Sequence, residues 1–156
     1  GIMDALTELL RSQDPLCVSA ALEAFLSLSK VAGNGLRMMH VQGLHELILE
    51  VFNSDSLQFF TMTADLLCIL VENPRFCTLT LQHVSMLSKL LRTVTSTDMQ
   101  TATVSMRLIE KLAVSVEESW VLSRDAKELN RDRMEANIIN AELMLQFGQN
   151  VHALSV

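Results

Sequence analysis

The feature of this sequence that most limits its fold is a pattern of apolar residues that recurs about every 42 residues. At a shift of 42, the apolar residues of segment 1–12 fall on those of segment 43–54, and a shift of 41 places segment 14–28 on segment 55–69. A third copy follows at a shift of 84, where Asp98 matches Asp14, Ile109 matches Phe25 and Leu112 matches Leu28. A period of this length predicts stacked units, each of which buries its apolar face only against its neighbours.

Local signals indicate where helices begin and end within each unit. The pairs Asp14-Pro15 and Asn73-Pro74 predict helix starts, because the first residue can cap free amides and proline at the first helical position loses no hydrogen bond. The first of these helices is expected to run to about residue 32, where a Gly-Asn-Gly sequence interrupts it. Short linking helices are predicted over 36–41 and 74–81, so that each full unit has three helices.

The composition also favours helices. The chain is 49% hydrophobic and contains only 5 Gly, 2 Pro and no Tyr, which makes it too apolar for disorder and too poor in turn residues for a many-stranded sheet. The longest uninterrupted apolar run, residues 66–71, is far shorter than the roughly 20 residues of a membrane span. No basic-then-apolar leader opens the chain. We therefore expect a soluble, intracellular protein, either cytoplasmic or nuclear.

The charge and the cysteines exclude several kinds of partner. The net charge is −6, from 12 basic and 18 acidic residues, and no basic stripe is visible, so nucleic acid is not an expected partner. Cys17, Cys68 and Cys77 lie among apolar residues without a CxxC pair. They are read as reduced core thiols, and neither a disulfide nor a metal site is predicted.

The three-helix unit resembles the armadillo repeat, with HEAT repeats as its nearest relative. The resemblance rests on a Gly that opens the second helix, a Leu-Leu pair that closes it, a Ser/Asp turn and an Ala-rich third helix, and it covers roughly residues 1–124. It implies an all-α fold, a right-handed α-solenoid of about three armadillo-like three-helix repeats plus a C-terminal helix. The repeats are predicted at about 1–33 (partial), 34–73 and 74–116, with a junction to 124 and a C-terminal amphipathic helix over 125–156.

In the armadillo family the third helices line a concave groove that binds other proteins. Familiar peptide binders of the family carry Trp and Asn on these helices, whereas this chain has Glu23, Ala64 and Arg107 at the Trp-like position and Ser27, Cys68 and Lys111 at the Asn-like position. An asparagine ladder is therefore absent. The predicted groove residues, for a peptide or helix of another protein, are Ser19, Glu23, Ser27, Phe60, Ala64, Cys68, Thr103, Arg107 and Lys111.

Two features of this groove have alternative interpretations. The alignment places Phe59 in the core and Phe60 in the groove, where Phe60 would be an exposed aromatic anchor; the alternative is that both are buried between repeats. Arg107 and Lys111 lie four residues apart and would hold an acidic ligand group, or else they form a solvated face with Glu110 nearby.

The C-terminal segment has a different character. After a charged stretch that begins near residue 117 and contains Trp120, read as a packing residue, apolar residues recur at steps of three or four: Ala136, Ile139, Leu143, Phe147, Val151 and Leu154. This pattern predicts a helix that caps the last repeat. The alternative is that the helix binds a separate protein or a second copy of the chain, with Ile139, Leu143 and Phe147 as contact residues.

Catalysis is not indicated by any motif. The chain has no Gly-rich phosphate loop, GxSxG or HExxH sequence, and its histidines, His40, His45, His83 and His152, lack ligand spacing. Cys77 and His83 form the one Cys/His neighbourhood, without a third member. We expect a non-catalytic scaffold segment of a larger protein that needs no cofactor, or alternatively a purely structural C-terminal cap of a longer solenoid.

Overall fold

The computed structural model describes residues 1–125 and 131–154, and it describes the side chains of residues 1–118 and 138–150. In this part of the chain the secondary structure is entirely helical, as the sequence predicts. The nine helices are α1 (Ile2–Leu10), α2 (Pro15–Ser29), α3 (Asn34–Met39), α4 (Leu44–Asn53), α5 (Leu57–Leu70), α6 (Pro74–Leu81), α7 (Val84–Thr93), α8 (Met99–Asp125) and α9 (Arg131–Leu154).

The two predicted cap-and-proline starts are confirmed. The Asp14 carboxylate accepts a 3.0 Å hydrogen bond from the Leu16 amide at the start of α2, and the Asn73 side chain accepts 3.0 and 3.3 Å bonds from the Arg75 and Phe76 amides at the start of α6. Each arrangement satisfies amides that a helix start leaves without an internal partner.

The end of α2 and the start of α3 both come earlier than the sequence suggested. The Asn34 side chain donates a 2.9 Å hydrogen bond to the Leu28 carbonyl and so satisfies one of the free carbonyls in the last turn of α2. Gly33 then turns the chain with a φ of 86°, a left-handed conformation that glycine adopts without steric cost. As a result α2 ends at Ser29 and α3 begins at Asn34.

Successive helices pack in a repeated order. α1, α4 and α7 each pair with the helix that follows them, α5 contacts both α2 and α8, and α4 contacts both α1 and α7. The two rows of helices share one apolar core. Among its largest fully buried side chains are Phe25, Phe52, Phe60, Leu67 and Leu90.

The C-terminal part consists of two long helices. α8 runs for 27 residues and passes the predicted boundaries at 116 and 124 without a break, since segment 99–125 contains neither Gly nor Pro. α9 packs against α8 and α6, and its Phe147 side chain, only 4% exposed, belongs to the same core. No helix within the described ranges is both long and apolar enough to cross a membrane.

Candidate functional site

The exposed sides of α2, α5 and α8 form one surface, which we call the α2–α5–α8 face. On α2, Glu23 and Ser27 are exposed and Ser19 is half-buried, as expected for groove residues. The Gln58 side-chain amide of α5 donates a 3.4 Å hydrogen bond to Ser19 Oγ, and that hydroxyl donates in turn to Met62 Sδ at 3.8 Å. Polar side chains therefore bridge α2 and α5 at the surface.

A second set of bridges joins α5 to α8. Arg107 Nη1 lies 3.4 Å from Asp65 Oδ1, and Lys111 Nζ lies 3.1 Å from Glu72 Oε1. Arg107 and Lys111 are exposed, as is the predicted groove residue Thr103. Exposed pairs of this kind contribute only about 0–1 kcal/mol each, so their charged groups can change partners at little cost.

The middle row of the predicted groove is not at the surface. Phe60 is 1% exposed and packs against Phe52 of α4 with ring centroids 5.0 Å apart, and Ala64 and Cys68 are also buried. Phe59 is the half-buried member of the Phe pair. The prediction of Phe60, Ala64 and Cys68 as groove residues is therefore wrong, and the exposed aromatic anchor does not exist at this position.

The physical reason is a one-residue error in the alignment of α5 with α2. Ser56 caps α5, accepting a 3.4 Å bond from the Phe59 amide, and it lies 42 residues after Asp14, which caps α2. A shift of 42 also places buried Val18 on buried Phe60. The prediction used 41 because Asp14 then matched Asp55, and one residue rotates a helical side chain by about 100°.

With the shift of 42, the α5 residues that correspond to Ser19, Glu23 and Ser27 are Thr61, Asp65 and Ile69. All three are half-buried, more accessible than the predicted set. Asp65 pairs with Arg107, so it belongs to the α2–α5–α8 face. The sequence signal that identifies these residues is the capping role of Ser56.

The two buried thiols are poor nucleophiles. Burial raises the pKa of the Cys68 thiol to about 11, and the neighbouring Asp65 carboxylate adds to this rise. Burial likewise raises the pKa of Cys77 to about 11, although a hydrogen bond with Ser115 acts in the opposite direction. Both thiols are therefore protonated near neutral pH, which disfavours nucleophilic chemistry because the thiolate is the reactive form.

The predicted contact stripe of α9 divides into covered and open residues. Phe147 is buried and Leu143 half-buried in cis, whereas Ile139 is exposed. Asn140, expected on the polar side, is buried. A cleft of about 690 Å³ between α8 and α9 is bounded by Val116, Glu117, Ala141, Met144, Leu145, Gly148 and Gln149. The side chains of Trp120, Ala136, Val151 and Leu154 lie outside the described residues.

Titratable groups do not assemble into a metal site within the described residues. No group of three or more His, Cys, Asp or Glu side chains in residues 1–118 and 138–150 is arranged to hold a metal ion. His45 Nε2 lies 3.6 Å from Glu46 Oε1, in a polar cleft of about 710 Å³ that also contains His40. The chemistry available on the α2–α5–α8 face is therefore that of surface recognition, by charge pairs and half-buried apolar side chains.

Comparison with known proteins gives a likeness of fold. Neither a family model nor a curated protein matches the chain. A solved structure described as the crystal structure of an engineered protein, a target of the Northeast Structural Genomics Consortium, is similar with a TM-score of 0.65. The two sequences are 13% identical, and the match covers 95% of this chain and 68% of the engineered one. The chain therefore shares its helical arrangement with a solved protein.

Proposed function

We propose that this chain is a non-catalytic protein-binding scaffold whose α2–α5–α8 face binds a peptide or helix of another protein. In this proposal the face is the concave side of a right-handed α-solenoid of about three armadillo-like repeats. The contacts of α5 with both α2 and α8, and of α4 with both α1 and α7, support it because each unit is then packed like the last. No cofactor is assigned, and an intracellular location is proposed because the cysteines are free thiols.

The observation that carries this proposal is the pair of exchangeable bridges between α5 and α8. Arg107 makes a single 3.4 Å contact with Asp65, although a guanidinium has five N–H donors. Ile69 and Met106 are half-buried on the same two helices and offer apolar contact area beside these charges. A partner segment that places a carboxylate near Arg107 and Lys111 and apolar side chains beside it would fit this surface.

Charge reversal tests this assignment. Arg107→Glu combined with Lys111→Glu should abolish recovery of a partner from the native source, while the thermal unfolding midpoint changes little because both side chains are exposed. The matched control is Arg37→Glu with Arg92→Glu, two exposed cations on α3 and α7. Equal recovery by both double variants would exclude the α2–α5–α8 face as the binding site.

A purely structural role is the second candidate, and the packing of α9 favours it. α9 covers parts of α8 and α6 and buries Phe147 there, as a cap on the last repeat would. Deletion of residues 126–156 should then expose this apolar surface and cause aggregation. A truncated protein that stays soluble and folded but loses a partner would instead identify α9 as a binding segment.

A further inference from the structure

One end of the stack exposes an apolar surface, which we call the α1/α2 end face. It consists of Ile2, Leu9, Leu16, Ala20, Ala24 and Leu28. Ile2 is 68% exposed and Leu16 is 78% exposed. The charged residues of α1, Asp4, Glu8 and Arg11, line a cleft against α3 and α4, so they lie on a different side of the helix. The end face therefore contains no charged residue.

The end face continues the series of helix interfaces inside the molecule. At a shift of 42, its residues correspond to positions on α4 and α5, the helices that pack against α1 and α2. Leu44, the counterpart of Ile2, is 1% exposed, and the counterparts of Ala24 and Leu28 are buried as well. Gln58 and Met62, which contact Ser19 of α2, correspond to Leu16 and Ala20. Positions that are covered in the second unit are thus uncovered in the first.

We propose that the α1/α2 end face binds a second copy of this chain in a two-fold symmetric dimer. Two copies approach through this face without opposing charges, although each chain carries a net charge of −6. At the opposite end, Glu117, Glu118 and Glu142 are exposed on α8 and α9, so self-association there would bring carboxylates together. α9 also occupies part of α8, which disfavours head-to-tail stacking. An isologous pair closes with two copies.

Sedimentation velocity of the intact chain over a hundredfold range of concentration tests this proposal. Ile2→Glu with Leu16→Glu is the disrupting variant, because acidic residues are well tolerated in the first turn of a helix. The matched control is Leu145→Glu, which places the same charge on an exposed apolar residue of α9. Circular dichroism melting checks that all variants fold.

The expected result is a reversible monomer–dimer equilibrium that the Ile2/Leu16 variant weakens by at least about tenfold and the Leu145 variant leaves unchanged. A wild-type chain that stays monomeric throughout overturns the proposal, even if a different protein binds the end face. A dimer that only Leu145→Glu weakens, or open-ended larger species, also overturns it. The proposed partner-binding face is separate, so its test stands independently of this result.

Discussion

Lys89 of α7 meets Phe52 at the end of α4 in two ways. Lys89 Nζ donates a 2.6 Å hydrogen bond to the Phe52 carbonyl, and the same ammonium lies 5.6 Å from the centre of the Phe52 ring. It also donates to the Ser54 carbonyl at 2.6 Å and lies 5.3 Å from the Phe60 ring centre. Burial lowers the pKa of Lys89. One side chain thus satisfies carbonyls at a helix end and links three helices.

Replacement of Lys89 by Ala should lower the free energy of unfolding by about 1–2 kcal/mol, because two charge-assisted hydrogen bonds and the packing of the lysine stem are lost. Urea denaturation at neutral pH measures this change. Lys30→Ala is the control, since Lys30 is exposed at the end of α2 and should change stability by less than about 0.5 kcal/mol. Equal stability of the two variants would contradict the role given to Lys89.

Thiol labelling should distinguish the three cysteines. Cys17 is half-buried on α2, while Cys68 and Cys77 are buried with raised pKa values. We expect Cys17 to react with a disulfide reagent at least about tenfold faster than the other two under native conditions, because the buried thiols react only after local opening. Single-cysteine variants followed by absorbance measure the three rates. Comparable rates would show that the α5 and α6 thiols are accessible.

The buried thiols should also make stability fall at alkaline pH. The pKa of Cys77 is about 11 in the folded chain, against a model value of 9.0, so the unfolded chain releases its proton first. The contribution is fully present below pH 9 and is lost as the pH rises from 9 towards 11. Cys77→Ala should therefore flatten the decline in unfolding free energy over this interval. A variant whose stability declines as steeply as that of the wild type would refute this cause.

Substitution of Phe60 tests the corrected register of α5. Phe60→Ala should destabilise the chain by about 3–5 kcal/mol, because the ring fills the core against Phe52. Leu57→Ala, one helical turn earlier and 68% exposed, is the control and should change stability by less than about 0.5 kcal/mol. If Phe60→Ala were as stable as the wild type, Phe60 would be a surface residue and the original alignment would be correct.

The elements that were predicted correctly depend on local chemistry. Asp14-Pro15 and Asn73-Pro74 start helices through contacts within three residues, and such contacts can be read from the sequence. The α5 register failed for a related reason. Asp55 and Ser56 are both good capping residues, and residue identity favoured Asp55 although Ser56 makes the bond. That choice moved the predicted groove row from Asp65 to Ala64.

Features that depend on distant contacts were not predicted. Lys89 lies 37 residues from Phe52 in sequence, so nothing in the segment around Lys89 indicates its partner. In α9 the helical period suggested a polar side that includes Asn140, but packing against α8 and α6 turns this residue inward. The face that a helix buries is decided by its neighbours when its apolar residues are not confined to one stripe.

Site-specific photo-crosslinking on the α2–α5–α8 face tests the central claim most directly. A photoreactive amino acid at Ser27 or Thr103, two exposed residues on α2 and α8, should capture the same partner protein in cells, and the same group at exposed Ser88 on α7 should not. Mapping the crosslinked peptide identifies the bound segment. Capture at Ser88 alone, or at all three positions equally, would contradict partner binding on this face.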